Sequence, residues 1–269
     1  MQVEGNIFVV TGAGNGIGRR VARELVARGG TVAGADLDAG GLEETARLIG
    51  RPERFTSHLL DISDDAAVAA FPETVIAEHG RVDGLFNIAG IAQDFETAAG
   101  ITDARLDTIM KVNFFGTVAM TRAFLPHLED RPDGAVIMNT SSLSAIVPFP
   151  GAAVYGASKA ALAVFGYVLA QDLRGSSKVT VTTVLPGTIW TDIVRTSANH
   201  LGTPEKVAEV FAMKPEKAAT KMIDATLDGR MRVVIGKDAH VFNGLRRVSS
   251  RLAERAAYLQ VGTFLYRKK

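Results

Sequence analysis

Apolar, β-branched runs alternate along this chain with longer stretches of helical period. The runs read NIFVVTG, TVAGAD, RFTSHLLD, VDGLFNIAG, GAVIMNTS, VTVTTVLPG and MRVVIG, and each predicts a strand. Between them hydrophobic positions return at helical spacing, which predicts helices over 17–28, 41–49, 64–79, 103–127, 154–173 and about 215–227. A strand that is apolar at nearly every position is one covered by helices on both faces of a parallel sheet, so the pattern predicts an α/β fold. No repeat, low-complexity tract or Pro/Gly-rich linker interrupts the beat, and one domain is expected.

Beyond Gly236 the pattern changes. Val241, Leu245, Val248, Leu252, Ala256 and Leu259 form a stripe at helical spacing, with Arg246, Arg247, Arg251 and Arg255 largely elsewhere on the wheel. Residues 237–269 carry eight Lys/Arg against two Asp/Glu, net +6, while residues 1–236 carry net −5. The expected organisation is a domain over 1–236 and a basic, amphipathic helical extension of that domain over 237–269. Such a helix either lies on an anionic membrane surface or packs on a neighbouring subunit, and packing is favoured.

Composition narrows the classes. The 269 residues are 47% hydrophobic, enough for a large core. The absence of cysteine excludes a disulfide framework, a thiolate nucleophile and a Cys-ligated zinc, and agrees with a reducing, cytoplasmic compartment. The first residues lack the basic flank, apolar stretch and cleavage site of a signal peptide, so secretion is not expected. The longest apolar run, 160–170, is about half the roughly 20 residues of a membrane-spanning helix. With net charge +1 there is no nucleic-acid footprint. The five His (His58, His79, His127, His200, His240) are scattered without an HExxH pair, and no metal site is expected.

TGAGNGIGRR follows the first strand directly and puts Gly12, Gly16 and Gly18 where a helix should begin. Glycines permit the tight turn and let backbone N–H groups of Asn15, Gly16 and Ile17 approach a pyrophosphate at the positive helix end, although the same spacing also suits a plain turn. The second strand ends at Asp36, where a carboxylate can accept hydrogen bonds from the adenine ribose hydroxyls and repel a 2′-phosphate. Neither Asn15 nor Leu37, flanking that pocket, is basic, which favours NAD(H) over NADP(H); Arg19 and Arg20 leave the second open. Asp61 and Ile62, ending the third strand, either hold the adenine edge or cap the next helix. Asn87, Ile88, Ala89 and Gly90 end the fourth strand with small residues that let a cofactor lie close to the backbone.

VYGASKAAL sets a phenol and an ammonium four residues apart. On a helix Tyr155 and Lys159 share a face, which is either a solvated pair or the working pair of a site. Two further residues favour the site. Ser142 ends the strand GAVIMNTS, at the edge where open α/β sheets hold ligands, and Asn113 lies in an apolar helix where a buried amide needs partners. This set suits carbonyl–alcohol interconversion. A phenol with pKa about 10 must fall about three units, worth about 4 kcal/mol, to act as a base near neutrality. Lys159 and a positive nicotinamide ring are the expected sources. Tyr155 is then the acid/base, Ser142 steadies the substrate oxygen, and Lys159 also holds the cofactor ribose.

TGAGNGIG, Asp36, Asp61, NIAG, Asn113, Ser142, YGASK and PGTIWT together resemble the short-chain dehydrogenase/reductase family over roughly residues 6–236. The resemblance implies a single-domain Rossmann-type doubly wound parallel sheet of strand order 3-2-1-4-5-6-7. It implies an Asn113-Ser142-Tyr155-Lys159 tetrad, and nicotinamide contacts from Pro186, Gly187, Thr188, Ile189 and Thr191. It also implies a homotetramer or homodimer built on the helices of Asn113 and Tyr155. One departure stands out: the family's Asn-Asn-Ala-Gly appears as Asn87-Ile88-Ala89-Gly90, losing an amide that could brace the sheet.

Specificity is expected from loops after the strands, carrying Phe95, Ile146, Val147, Phe149, Trp190, Ile193, Val194, Phe211 and Met213. These walls suit a hydrophobic secondary alcohol or ketone of steroid, retinoid, terpenoid or aliphatic kind, unless they serve only as lid packing. The competing classes are a catalytically silent NAD(H)-binding regulator and an NADP(H)-dependent carbonyl reductase.

Overall fold

The structure is a computed structural model and describes residues 1–190 and 212–262. Seven parallel strands form one sheet: β1 (Ile7–Thr11), β2 (Thr31–Asp36), β3 (Phe55–Leu59), β4 (Gly84–Asn87), β5 (Ala135–Thr140), β6 (Val179–Pro186) and β7 (Arg232–Ile235). Their order is β3-β2-β1-β4-β5-β6-β7, as the resemblance implied. The chain winds outward from β1 in one direction and from β4 in the other. The crevice at the carboxyl ends of β1 and β4 is therefore the switch point where such sheets bind ligands.

Two cores flank the sheet, which explains the continuous apolar runs. Phe8, Val10, Val32, Phe86, Val136, Met138 and Val184 point to one face, against α1 (Gly16–Ala27), α2 (Ala39–Ile49) and the later helix Pro215–Leu227. Val9, Ala33, Ala35, Leu85, Ile137 and Val181 point to the other, against α3 (Asp65–His79) and the helix Thr117–Glu129. Alternation along each strand thus fills both layers. Asn15 caps α1 and Asp64 caps α3 through their side chains.

The helix expected over 103–127 is divided. Asp103–Met110 (α4) and Thr117–Glu129 (α5) are joined by a π-helical turn, Lys111–Gly116. Two tertiary demands account for it: the Asn113 amide bonds out of the helix to Ile91, and Gly116 lies against Ile62, where a Cβ would stand 2.6 Å from the carbonyl oxygen.

α6 (Ala153–Asp172) is long and apolar enough to cross a membrane by length and composition. One face, with Val154, Ser158, Lys159, Leu162, Ala163 and Gly166, is buried in the fold, while Val164 and Val168 stay exposed on the other. α7 (Pro215–Leu227) follows the undescribed stretch and precedes β7.

The C-terminal extension corrects the expected single helix. α8 (Lys237–Val248) and α9 (Ser250–Ala257) are separated at Ser249, which is extended (φ −160°, ψ 122°) and accepts a hydrogen bond from Leu252 N at 3.4 Å. A π-helical turn, Tyr258–Gly262, ends the described chain. The break resets the helical phase, so the buried hydrophobic residues are Ala239, Phe242, Ala253, Ala257 and Val261. Val241, Val248, Leu252 and Leu259 of the expected stripe are exposed, while Leu245 and Ala256 pack partly against this third core. That core joins Leu143 and Val147, in the loop after β5, to the extension.

Candidate active site

The glycine turn is built for close backbone approach. Gly12 has φ 72°, and a Cβ there would stand 3.0 Å from Ala89 Cα and N, across the switch point. Gly18 packs onto the Gly12 carbonyl with no room for a Cβ. Asn15 Oδ1 accepts from Gly16 N at 2.6 Å, and Ile17 packs partly against the first core. Thr11 Oγ1 accepts from Ile88 N (3.0 Å) and Ala89 N (3.1 Å), binding the ends of β1 and β4 together.

Asp36 reaches across to this turn. One carboxylate oxygen accepts from Gly14 N (2.8 Å) and the other from Asp38 N (3.0 Å), so it braces the loop and keeps lone pairs for a ligand. Leu37 beside it is 68% exposed. Arg19 is turned back on the chain: it donates to Thr45 Oγ1 (2.9 Å), Gly41 O (3.2 Å) and the Gly14 carbonyl. Arg20 pairs with Glu216 at 2.8 Å. Asp61 does not cap α3, since Asp64 does; Asp61 Oδ1 accepts from Ser63 N at 2.8 Å.

The Asn87 side chain turns away from the end of β4 into the second layer. It is buried, and its Nδ2 donates to Thr121 Oγ1 (3.1 Å) and Asn139 Oδ1 (2.9 Å) in the second layer. Asn87 and Asn139 brace β4 against β5.

Asn113, Ser142, Tyr155 and Lys159 converge at the carboxyl ends of β4 and β5. Asn113 is fully buried; Oδ1 accepts from Ile91 N (2.8 Å), and Nδ2 donates to Ile91 O (2.9 Å) and Ser158 Oγ (3.2 Å). Ser158 Oγ donates to Tyr155 O (2.7 Å), so the π turn clasps α6 between its two working residues. Gly90 leaves the gap they need: a Cβ there would stand 3.0 Å from Asn113 Oδ1 and 3.2 Å from Lys159 Nζ. Ser142 Oγ accepts from Ser144 N (3.1 Å), and its side chain acts on the Tyr155 phenol in favour of the ionised form. Lys159 Nζ donates to Thr140 O (2.9 Å) and lies 5.9 Å from the Tyr155 ring centroid.

The electrostatics differ from the simple expectation. Burial raises the Tyr155 pKa above its ordinary value, and the Ser142 side chain pulls the other way. Burial also lowers Lys159 to about 8, so near neutrality it stays mostly protonated at a cost. The protein shell alone therefore holds Tyr155 as a phenol, a proton donor.

The profile of the short chain dehydrogenase family matches residues 6–202. The chain belongs to the short-chain dehydrogenase/reductase family. It is 34% identical over 273 residues to the oxidoreductase SadH of Mycobacterium tuberculosis, covering 97% of each chain. It is 33% identical over 245 residues to 2-(R)-hydroxypropyl-CoM dehydrogenase of Xanthobacter autotrophicus, covering 88% of this chain and 94% of that one. Among solved structures, 3-ketoacyl-(acyl-carrier-protein) reductase from Brucella melitensis complexed with NADH is 28% identical, with TM-score 0.77 over 87% of this chain and 97% of that one. The protein is an NAD(P)-dependent oxidoreductase acting on CH–OH groups.

This family member uses residues that spacing did not reveal. Gln93, buried, accepts from Val154 N (2.9 Å) and Tyr155 N (3.1 Å) and so caps α6, whose own N-cap residue, Ala152, offers no side-chain bond. Ser141 Oγ donates to Lys159 O at 2.7 Å. Asp238, from α8, accepts from Thr188 N at 2.7 Å and packs against Gly187, fixing the loop after Pro186. Ile189 is buried and bridges Met213. Of the expected substrate walls, Phe95 and Trp190 are half-buried, and Phe149 packs edge-on against Phe242 with centroids 5.4 Å apart. Thr191, Ile193, Val194 and Phe211 lie outside the described residues.

Proposed function

We propose that this enzyme interconverts a hydrophobic secondary alcohol and its ketone with NAD(H). The observation that carries the reading is that buried Ser142 and Lys159 flank the half-buried Tyr155, with Lys159 Nζ 5.9 Å from its ring centroid and the Ser142 side chain favouring its ionised form. NAD(H), when bound, supplies or accepts the hydride. Tyr155 gives or takes the proton at the substrate oxygen, and Ser142 donates a hydrogen bond to that oxygen as charge develops on it. Lys159 favours the phenolate and holds the nicotinamide ribose, and Asn113 fixes the two segments around them. Gly12, Gly16 and Gly18 admit the pyrophosphate, Asp36 takes the adenine ribose, and Asp61 with Ile62 borders the adenine. Pro186, Gly187, Thr188 and Ile189 border the nicotinamide.

The preference for NAD(H) over NADP(H) is supported by the Asp36 carboxylate and by Arg19 and Arg20, both engaged with the chain's own oxygens. The NADH complex of the Brucella relative accords with it. An apolar substrate is supported by Phe95 and Trp190, half-buried in the loops after β4 and β6, and a secondary alcohol by the name of the Xanthobacter relative. The panel that tests this compares kcat/KM for hydrophobic secondary alcohols and for sugars, with NAD⁺. Faster turnover of the sugars contradicts the substrate class.

The same reading includes a cytoplasmic homodimer or homotetramer whose residues 1–236 are catalytic and 237–269 an extension. Leu106, Phe115, Val164 and Val168 leave an apolar face on α4, the π turn and α6, which a second copy would cover.

A further inference from the structure

The fold brings together two histidines that stand 21 positions apart in sequence. His58, on edge strand β3, and His79, the last residue of α3, direct their Nε2 atoms at one point beside Glu78. Nε2 of His58 lies 3.4 Å from Glu78 Oε2, and Nε2 of His79 lies 3.8 Å from the same oxygen. All three ligand atoms fall within 4.8 Å of one another. In a tetrahedral site with bonds near 2.0–2.1 Å, neighbouring donors stand about 3.3 Å apart, close to this spacing.

The surroundings suit capture of an ion. The two imidazoles are nearly buried, with side-chain exposures of 13% and 9%, whereas Glu78 is 42% exposed and open to an entering cation. Thr56, two residues before His58 on the same strand face, sets its hydroxyl 2.8 Å from His58 Nε2 and 3.0 Å from His79 Nε2. Its hydroxyl can donate to one ring nitrogen and accept from the other ring's N–H, which holds both Nε2 atoms toward the same point. Phe71 packs edge-on against the His58 ring at 5.2 Å and limits its rotation.

We propose that His58, His79 and Glu78 bind one divalent cation of borderline softness, of the zinc class, with Thr56 beside the fourth position. Two imidazoles and one carboxylate suit zinc and its transition-metal neighbours far better than magnesium or calcium. The ion clips the outermost strand to the end of α3, at the edge of the sheet and away from the Tyr155 crevice. Its role is to stabilise the fold, independent of the proposed reaction. An edge strand presents unpaired backbone groups, and a clip there holds it in register.

The test is calorimetric titration of untagged protein with Zn²⁺, with Mg²⁺ as control, paired with thermal unfolding. Expected are a one-to-one site for Zn²⁺ and none for Mg²⁺, with a Tm raised by about 5 °C near a hundredfold excess over Kd. His79→Ala should weaken the site at least tenfold. Glu78→Gln changes an exposed residue and should do likewise should the histidine variant fail to fold. Absence of a one-to-one Zn²⁺ site, or a site of equal affinity in Glu78→Gln, overturns the proposal.

Discussion

Gln93 holds the backbone of Tyr155 from 62 positions away, its Oε1 3.1 Å from the Tyr155 amide. A helix start without its own side-chain cap has orphan N–H groups, and here a neighbouring loop meets the need. The proton-transferring phenol is thus fixed at its Cα from outside its own helix. Gln93→Ala should lower kcat by about tenfold or more and stability by about 1–2 kcal/mol. Gln93→Glu, which keeps the acceptor, should recover most of kcat; steady-state kinetics with thermal unfolding on both variants checks the pair.

Lys159 makes stability depend on pH in a definite direction. Its pKa is about 8 in the fold against the ordinary 10.5, so below about pH 8 both folded and unfolded chains carry the proton and the burial cost is borne in full. Between about 8 and 10.5 only the unfolded chain holds it, and this contribution raises stability as pH rises, by about 3 kcal/mol in all. Denaturant unfolding of the wild type and Lys159→Met across pH 7–11 isolates it. The difference in ΔG should shift in favour of the wild type as pH climbs through that window, and the variant should be inactive.

Asp36 carries the cofactor choice and also braces Gly14. Asp36→Ala should reduce the preference for NAD⁺ over NADP⁺ by at least tenfold, measured as the ratio of kcat/KM values. Because Gly14 N loses its acceptor, affinity for both cofactors should fall as well.

Local patterns were legible in the sequence, and pairings between distant segments were not. The alternation of strands and helices, the glycine turn and the Tyr155–Lys159 face follow from short spacings that strands and helices fix by themselves, whereas the strand order came only from the family resemblance. Gln93 on Tyr155, Asn113 on Ile91 and Ser158, and Asp238 on Thr188 are tertiary bonds, and no period in the chain announces them. The π turn arises from the same demand on Asn113, which is why the helix through it read as continuous. Ser249 and Ser250 did carry a signal, since serine favours helix starts, but the apolar stripe running through them hid it. The side-chain bonds of Asn87 to Thr121 and Asn139 in the second layer are likewise pairings that its place at the end of β4 does not announce.

The most direct measurement is turnover by Tyr155→Phe beside its affinity for NADH, read by fluorescence. Removing one hydroxyl should leave NADH affinity within about threefold and reduce kcat by about a thousandfold or more, in line with loss of general acid–base catalysis. A phenylalanine variant that binds NADH and still oxidises a secondary alcohol at near wild-type rate would contradict the account.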